Sequence, residues 1–490
     1  MIAGTAGAAS AQVLPTFPGA EGFGASTTGG RGGRVIYVTS LDPDPQGVRP
    51  GSLNWALRQT GPRYVLFQVS GVIHAPAQVV HGNVTIAGQT SPGGVIVRGL
   101  ICDGHYERHD CGNLVVRHIR SRPAAQLGIP AGGDALDDAL RLDGIKRFII
   151  DRSSFAHATD EAVQLSLASE GTIQRSILGE TVGGHAIYGG VLMNYAHPDF
   201  PQDELSLLKN LWFRFDGRLP EINCEASNYE DIAPFQTTAC ADRPLRLELS
   251  NNLQFDPGID IQFQRNVDGN PALGPYVVHM NAVNNHVIAR TGYGNALFNR
   301  DGLANTQNQL YFSGNRMNLY PAYSDYQLAY CCNDFPGAAP NTWLGGATRL
   351  PSRHPFPAVN YWSSGEMESG FAWRVGALPH DPMDRRIRSR VLSGSPALLP
   401  RSQPEANDAL TRDAGTPAPL GDRDVDGMPD TFELQYAHLG LDPDVPQTNG
   451  THLSLPLLGV AGYDNVEVYL HGLSEHVSQV QSLFGDGFEG

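Results

Sequence analysis

The sequence predicts an all-β fold, a right-handed parallel β-helix with an N-terminal capping helix, and three observations carry that prediction. A short motif of alternating apolar residues, one or two Asn, Ser or Gly, and a further apolar pair recurs as "NVTIAGQT", "NLVVRHIR", "FIIDRSSF", "GTIQRSIL", "LLKNLWF", "LELSNNLQF", "MNAVNNHV" and "LYFSGNRM". The copies are spaced roughly 23 to 41 residues apart, in or near the range of solenoid repeats. Each is too short to bury its own apolar face, so neighbours must stack. Secondly, 56 Gly and 35 Pro among 490 residues, with many β-branched runs, favour a turn-rich β architecture over a helical one. Thirdly, Asn210, Asn251, Asn252, Asn285 and Asn315 recur at one point of successive copies. Amides so placed can bond the bend of the adjacent coil and form a ladder.

Taken in order, residues 1–16 read as a leader or signal-peptide remnant, because "MIAGTAGAASAQ" ends in small residues with Ala9 and Ala11 spaced like a cleavage site. No later stretch approaches the ~18 apolar residues of a membrane span, so export is expected rather than anchoring. Residues 17–392 are assigned to the β-helix. Within it "GSLNWALRQ" offers Ser52 as a helix N-cap ahead of Leu53, Ala56 and Leu57, a short amphipathic plug for the first coil. Six cysteines fit an oxidising compartment. Cys102 with Cys111, and Cys224 with Cys240, bracket loops and read as local disulfides, whereas adjacent Cys331 and Cys332 are left unassigned. A net charge of −16, with lysine only at Lys146 and Lys209, argues against a nucleic-acid partner.

Residues 393–420, rich in Pro and Ala, read as a linker or a segment draped over the barrel. After it, "DRDVDGMPDTFE" matches a calcium-loop pattern with Asp422, Asp424, Asp426, Asp430 and Glu433 as ligands and Gly427 at the sharp turn. Residues 421–490 are therefore expected to form a small EF-hand-like calcium module whose apolar nucleus is too small to fold unaided.

Several stretches together resemble polysaccharide lyase family 1, the pectate lyases. "AEGFGASTTGGRGGRVIYVTSL", "GSLNWAL", "VLFQVSGVI" and "VTIAGQTSPGGVIVRG" are similar to its N-terminal signature, and "DDALRLDG", "IIDRSSFAHATDEAVQL" and "GRLPEI" to its groove strands. The resemblance runs from about Phe17 to Phe255 and implies a secreted, calcium-dependent enzyme cleaving polygalacturonate or a related uronate polymer by β-elimination. It implies that Asp138 and Asp160 hold a groove Ca2+ and that Arg218, in the R-x-P context of Arg218 and Pro220, removes the proton. Where many relatives carry a further Asp, this chain has Gln164, a neutral oxygen donor. Glu161 and Asp137 are the nearby substitutes, although in a strand alternate residues face opposite ways.

The chemistry states why such residues are needed. The proton next to a charged carboxylate is weakly acidic, and a divalent cation on that carboxylate withdraws charge from the developing enolate. An arginine has an ordinary pKa above 12, so base action predicts an alkaline optimum. Two family features are missing: Asn223 stands where a second arginine is frequent, and no lysine lies on the preceding coil. Arg175, His185, Arg243 and Arg246 are the candidate substrate-binding cations, and Arg243 is also the rival position for the base. A polygalacturonase-type hydrolase using Asp137, Asp138 and Asp160, and a noncatalytic carbohydrate-binding β-helix, are the alternatives. The expected partner is the polysaccharide, with the protein a monomer.

Overall fold

The computed structural model describes residues 14–104, 107–124, 138–182, 189–195, 197, 199–223, 243–258, 262–263, 276–293, 297–299, 302–330 and 345–484. Three parallel sheets of eleven, nine and seven strands run along it. Each coil gives one strand to each sheet: Lys146–Asp151, Ser154–Ala156 and Val163–Ser166 make one coil, and Ser169–Gln174, Ile177–Gly179 and Val191–Asn194 the next. The chain is a parallel β-helix, as its repeats predict.

Stacking in register builds the core. In the eleven-stranded sheet Leu114, Phe148, Gly171, Leu205, Leu247, Met280 and Leu310 form one column of paired positions. The side chains of this column are all at most 1% exposed. Full burial of such a side chain contributes about 1.5–3 kcal/mol. A Cβ at Gly171 would stand 2.0 Å from the Phe148 ring, so the glycine leaves the space that the phenylalanine of the preceding coil fills.

From the strand Leu114–Arg117 onward, the turns from the eleven- to the nine-stranded sheet hold two residues each. The second carries the amide ladder: Oδ1 of Asn210, Asn252, Asn285 and Asn315 accepts from the backbone N–H of Ser176, Asn210, Asn252 and Asn285 respectively, at 3.0–3.1 Å. Each Nδ2 donates to a strand carbonyl, of Ile173, Leu207, Leu249 and Ala282. Leaving one such buried group unpaired would cost about 1–3 kcal/mol. Asn251 is not a rung. It occupies the first turn position with φ +55° and exchanges hydrogen bonds with the backbone of Trp362.

A second ladder is ionic. His157, Glu180, Arg214 and Asp256, each with positive φ, follow successive strands of the nine-stranded sheet. Arg214 lies 3.6 Å from both Glu180 and Asp256, and Glu180 is 3.5 Å from His157. The trailing segment covers this ladder. Arg214 donates to the carbonyls of Leu399, Pro400 and Gln403, and Arg401 pairs with Asp256.

The N-terminal segment closes the first coil and lines the eleven-stranded sheet. The helix Leu53–Leu57, with Ser52 Oγ accepting from Trp55 N–H at 3.2 Å, plugs the first coil. The glycine-rich N-terminal segment lies against the eleven-stranded sheet, its N–H groups at Phe23, Gly24 and Gly29 donating to Ser206, Thr172 and Asn113. Approach there is so close that a Cβ at Gly24 would meet the Phe148 carbonyl at 2.1 Å. Cys102 and Cys111 are disulfide-linked. Cys224, Cys240, Cys331 and Cys332 lie outside the described residues.

Candidate active site

The chemistry-bearing side chains gather where the strands of the seven-stranded sheet begin. Asp138 precedes Leu140–Asp143, Asp160 and Glu161 precede Val163–Ser166, and Arg218 precedes Glu221–Asn223. These strands stack in parallel, so equivalent positions of successive coils come together although distant in sequence. Carboxylate oxygens of Asp138, Asp160 and Glu161 lie within 4.8 Å of one another. Backbone N–H of Glu161 donates to Asp138 Oδ1 at 3.0 Å, which ties the two coils at the cluster.

Arg218 reaches into this cluster. It has φ +59° and stands immediately before the strand that begins after Pro220, so its side chain is not bound to strand alternation. The guanidinium meets Glu161, lies 3.9 Å from Asp160, and donates through Nε to Glu221 at 2.8 Å. The side chains of Arg218 and Glu221 are 13% and 4% exposed, so this is an ion-pair network inside the site rather than a surface pair.

One expectation is corrected here. Glu161 is a nearby substitute on which strand alternation places a reservation, since neighbours in a strand face apart. The two residues lie in a bend, and the strand starts only at Val163, so both carboxylates enter one cluster. Glu161 therefore joins Asp138 and Asp160, while the Gln164 amide donates to Ser166 Oγ at 2.9 Å. Asp137 lies outside the described residues. Arg141, which sequence reasoning did not single out, lies 4.0 Å from Asp138 and 3.5 Å from Asp143. Burial pulls its pKa down, but the charges of Asp138, Asp143 and Asp103 outweigh that and hold it above its ordinary value.

The other candidate cations are not gathered with Arg218. Arg175 occupies a turn between the eleven- and nine-stranded sheets, 3.9 Å from both Glu21 and Asp151. Arg243 and Arg246 both clamp Asp203, at 2.8 and 2.5 Å, where a strand of the eleven-stranded sheet begins. His185 lies outside the described residues.

The C-terminal loop brings Asp422, Asp424 and Asp426 within 4.8 Å. Glu433 is fully buried and neither of its oxygens has a hydrogen-bond partner. Burial, followed by the charges of Asp426, Asp424 and Asp422, pushes Glu433 up to about 8. Asp430 departs from the expected ligand set: it begins the helix Asp430–Gln435 and accepts from Arg423 at 3.0 and 3.1 Å. Both clusters consist of hard oxygen donors, the chemistry that calcium prefers.

No family model matches the chain. It is 29% identical over 466 residues to a probable pectate lyase C of Aspergillus fumigatus, covering 94% of each chain. It is 28% identical over 471 residues to a probable pectate lyase C of Emericella nidulans, covering 95% of this chain and 94% of that one. Among solved structures, a pectate lyase from Acidovorax avenae subsp citrulli superposes with a TM-score of 0.45 at 12% identity, over 77% of this chain and 99% of that one.

Proposed function

We propose that the chain is a polysaccharide lyase that cleaves galacturonan-type uronate polymers by β-elimination, with Arg218 as the base and Asp138, Asp160 and Glu161 holding calcium. The observation that supports this most is the meeting of Arg218 with Asp160 and Glu161 at the strand starts. The similarity to pectate lyases, which runs along nearly the whole chain, supports the substrate class. Calcium bound at the three carboxylates supplies Lewis acidity to the substrate carboxylate.

The chain's own residues do the rest. In its neutral guanidine form, which alkaline pH favours, Arg218 takes the proton from the carbon beside the uronate carboxylate and becomes guanidinium. The electron pair left behind forms the ring double bond, the glycosidic C–O bond breaks, and the departing oxygen takes up a proton. Glu221, bonded to Nε, fixes the plane of the guanidinium. Arg141, with its charge secured by Asp138 and Asp143, is placed to attract the polymer's carboxylates. The carboxylates stand closer than the roughly 6.5–9.5 Å that lets an inverting glycosidase admit water, which disfavours an inverting hydrolase built on these three residues. The Cys102–Cys111 disulfide suits an enzyme acting outside the cytoplasm.

Arg218→Lys is the test. Lysine keeps the charge but loses the planar fork, and misplacing a base by about 1 Å can cost about 100-fold. kcat should fall by at least about that factor while KM for polygalacturonate stays near the wild-type value. A variant with normal kcat overturns the assignment of the base.

A further inference from the structure

The sequence presents the calcium loop as part of an appendage beyond a linker, yet the structure fastens it to the other end of the chain. Asp422 is bonded at both oxygens. Oδ1 accepts from Val425 N–H at 2.8 Å, and Oδ2 accepts from Gly427 N–H at 2.9 Å and from the hydroxyl of Tyr37. Tyr37 belongs to Arg34–Val38, the first strand of the β-helix. Gly427 itself sits on the first two strands: with φ +99°, it would place a Cβ 2.8 Å from Val35, 2.9 Å from Val466 and 3.0 Å from Leu66. Any side chain there would both strain the turn and lift the loop from the sheet.

The helix Asn465–Phe484 continues the attachment. Val466 and Leu470 pack with Tyr64, Leu66 and Ala87, and Asp464 Oδ2 accepts from Tyr64 Oη and Gly32 N–H, each at 2.7 Å. Glu467 pairs with Arg31 at 2.9 Å. The C-terminal segment thus covers the outer face of the first strands.

Inside the loop the charges are out of balance. Asp422, Asp424 and Asp426 converge within 4.8 Å, and Glu433, fully buried, has no hydrogen bond at either oxygen. Buried carboxylates that lack donors are costly unless a cation joins them. Arg423, the basic residue within the loop, bonds Asp430 and Asp444 instead.

We propose that Asp422, Asp424, Asp426 and Glu433 bind calcium, and that the bound ion acts as a clasp which locks the C-terminal segment onto the first strand through Asp422 and Tyr37. Ion binding closes the loop around its carboxylates and so fixes Asp422 where Tyr37 can reach it. Occupancy then governs opening of the strand Arg34–Val38, some four hundred residues away in sequence. The clasp is independent of the groove and of the reaction proposed there.

The test uses the full chain carrying Asp160→Ala, which weakens the groove cluster, and calcium chloride alone as the probe. Calorimetry measures binding, and hydrogen exchange measures opening at residues 34–38 and 422–433. At calcium one hundred times its Kd, exchange through openings that release the ion should slow about 100-fold in both segments. Glu433→Gln should abolish the binding and the slowing together. Tyr37→Phe should still bind calcium and protect residues 422–433, while the slowing at 34–38 falls at least about tenfold. Binding undiminished by Glu433→Gln would overturn the ligand set. Calcium protection that stops at residues 422–433, or that Tyr37→Phe leaves intact at 34–38, would overturn the clasp.

Discussion

Asp138, Asp160 and Glu161 in the groove, and Asp422, Asp424 and Asp426 in the C-terminal loop, each bring three carboxylates within 4.8 Å of one another. The groove set has a cation of the protein's own, since Arg218 meets Glu161 and lies 3.9 Å from Asp160. Among the described residues the loop set has no such cation: Arg423 is turned to Asp430 and Asp444, and Glu433 adds a further buried carboxylate. The groove set is partly balanced, one guanidinium being shared by Asp160, Glu161 and Glu221, and so needs metal less to hold its shape. A site that does not satisfy itself depends on the metal for its shape. The two proposals thus assign the same ligand chemistry to turnover in one place and to architecture in the other.

Chelation separates the two most forcefully. Removing calcium should lower polygalacturonate cleavage by about 100-fold or more, the scale of losing several kcal/mol of transition-state stabilisation. Glu433→Gln at saturating calcium and at a temperature where the chain stays folded should leave turnover near wild type. Initial rates decide both, and a dead but folded Glu433→Gln protein would dissolve the contrast.

Glu180 shows the groove's arrangement with the reaction taken away. Burial alone would raise its pKa, but hydrogen bonds with His157 and Arg386 and the charge of Arg386 outweigh it and hold Glu180 at about 2, against an ordinary 4.5. The folded value lies below the unfolded one, so this stabilisation is present above pH about 4.5 and is lost as pH falls toward about 2. At about 1.4 kcal/mol per unit it is on the order of 3 kcal/mol. Melting temperature followed against pH should show this acid limb, and Glu180→Gln should flatten it.

Smaller effects refine the groove itself. Glu161→Gln should raise the calcium concentration for half-maximal activity about tenfold, near 1.4 kcal/mol, with partial recovery in excess calcium. An unchanged calcium curve would make Glu161 a counter-ion of Arg218 and nothing more. Arg243→Lys should be nearly silent, within about 0.5 kcal/mol in stability and with normal kcat, because its partner Asp203 is also held by Arg246.

The fold was legible because a solenoid writes its period into the chain. Asn210, Asn252, Asn285 and Asn315 recur at the one turn position where an amide can bond two coils at once. Asp138, Asp160 and Arg218 were legible through local motifs, and the structure brings them together. Glu161 was legible only as a substitute under reservation, because the alternation rule does not hold in a bend and nothing in "ATDEAVQL" marks where the strand begins. The ionic ladder of His157, Glu180, Arg214 and Asp256 carried no signal, since its rungs differ in residue type and each lies a full coil from the next. Arg175 misled for a related reason: a basic residue at a turn looks the same in sequence whether it faces substrate or is held by Glu21 and Asp151. The contact between Tyr37 and Asp422 joins the two ends of the chain, a distance no local pattern encodes.

The most direct measurement of the central claim is the chemical nature of the product. Wild-type protein incubated with polygalacturonate and calcium is followed at once by ultraviolet absorbance and by reducing-end release. β-Elimination predicts both rising together, as each cleavage leaves a conjugated 4,5-unsaturated end, with Arg218→Lys suppressing both. Reducing ends without absorbance would make the protein a hydrolase, and neither signal, with polymer still bound, would leave it a binding module.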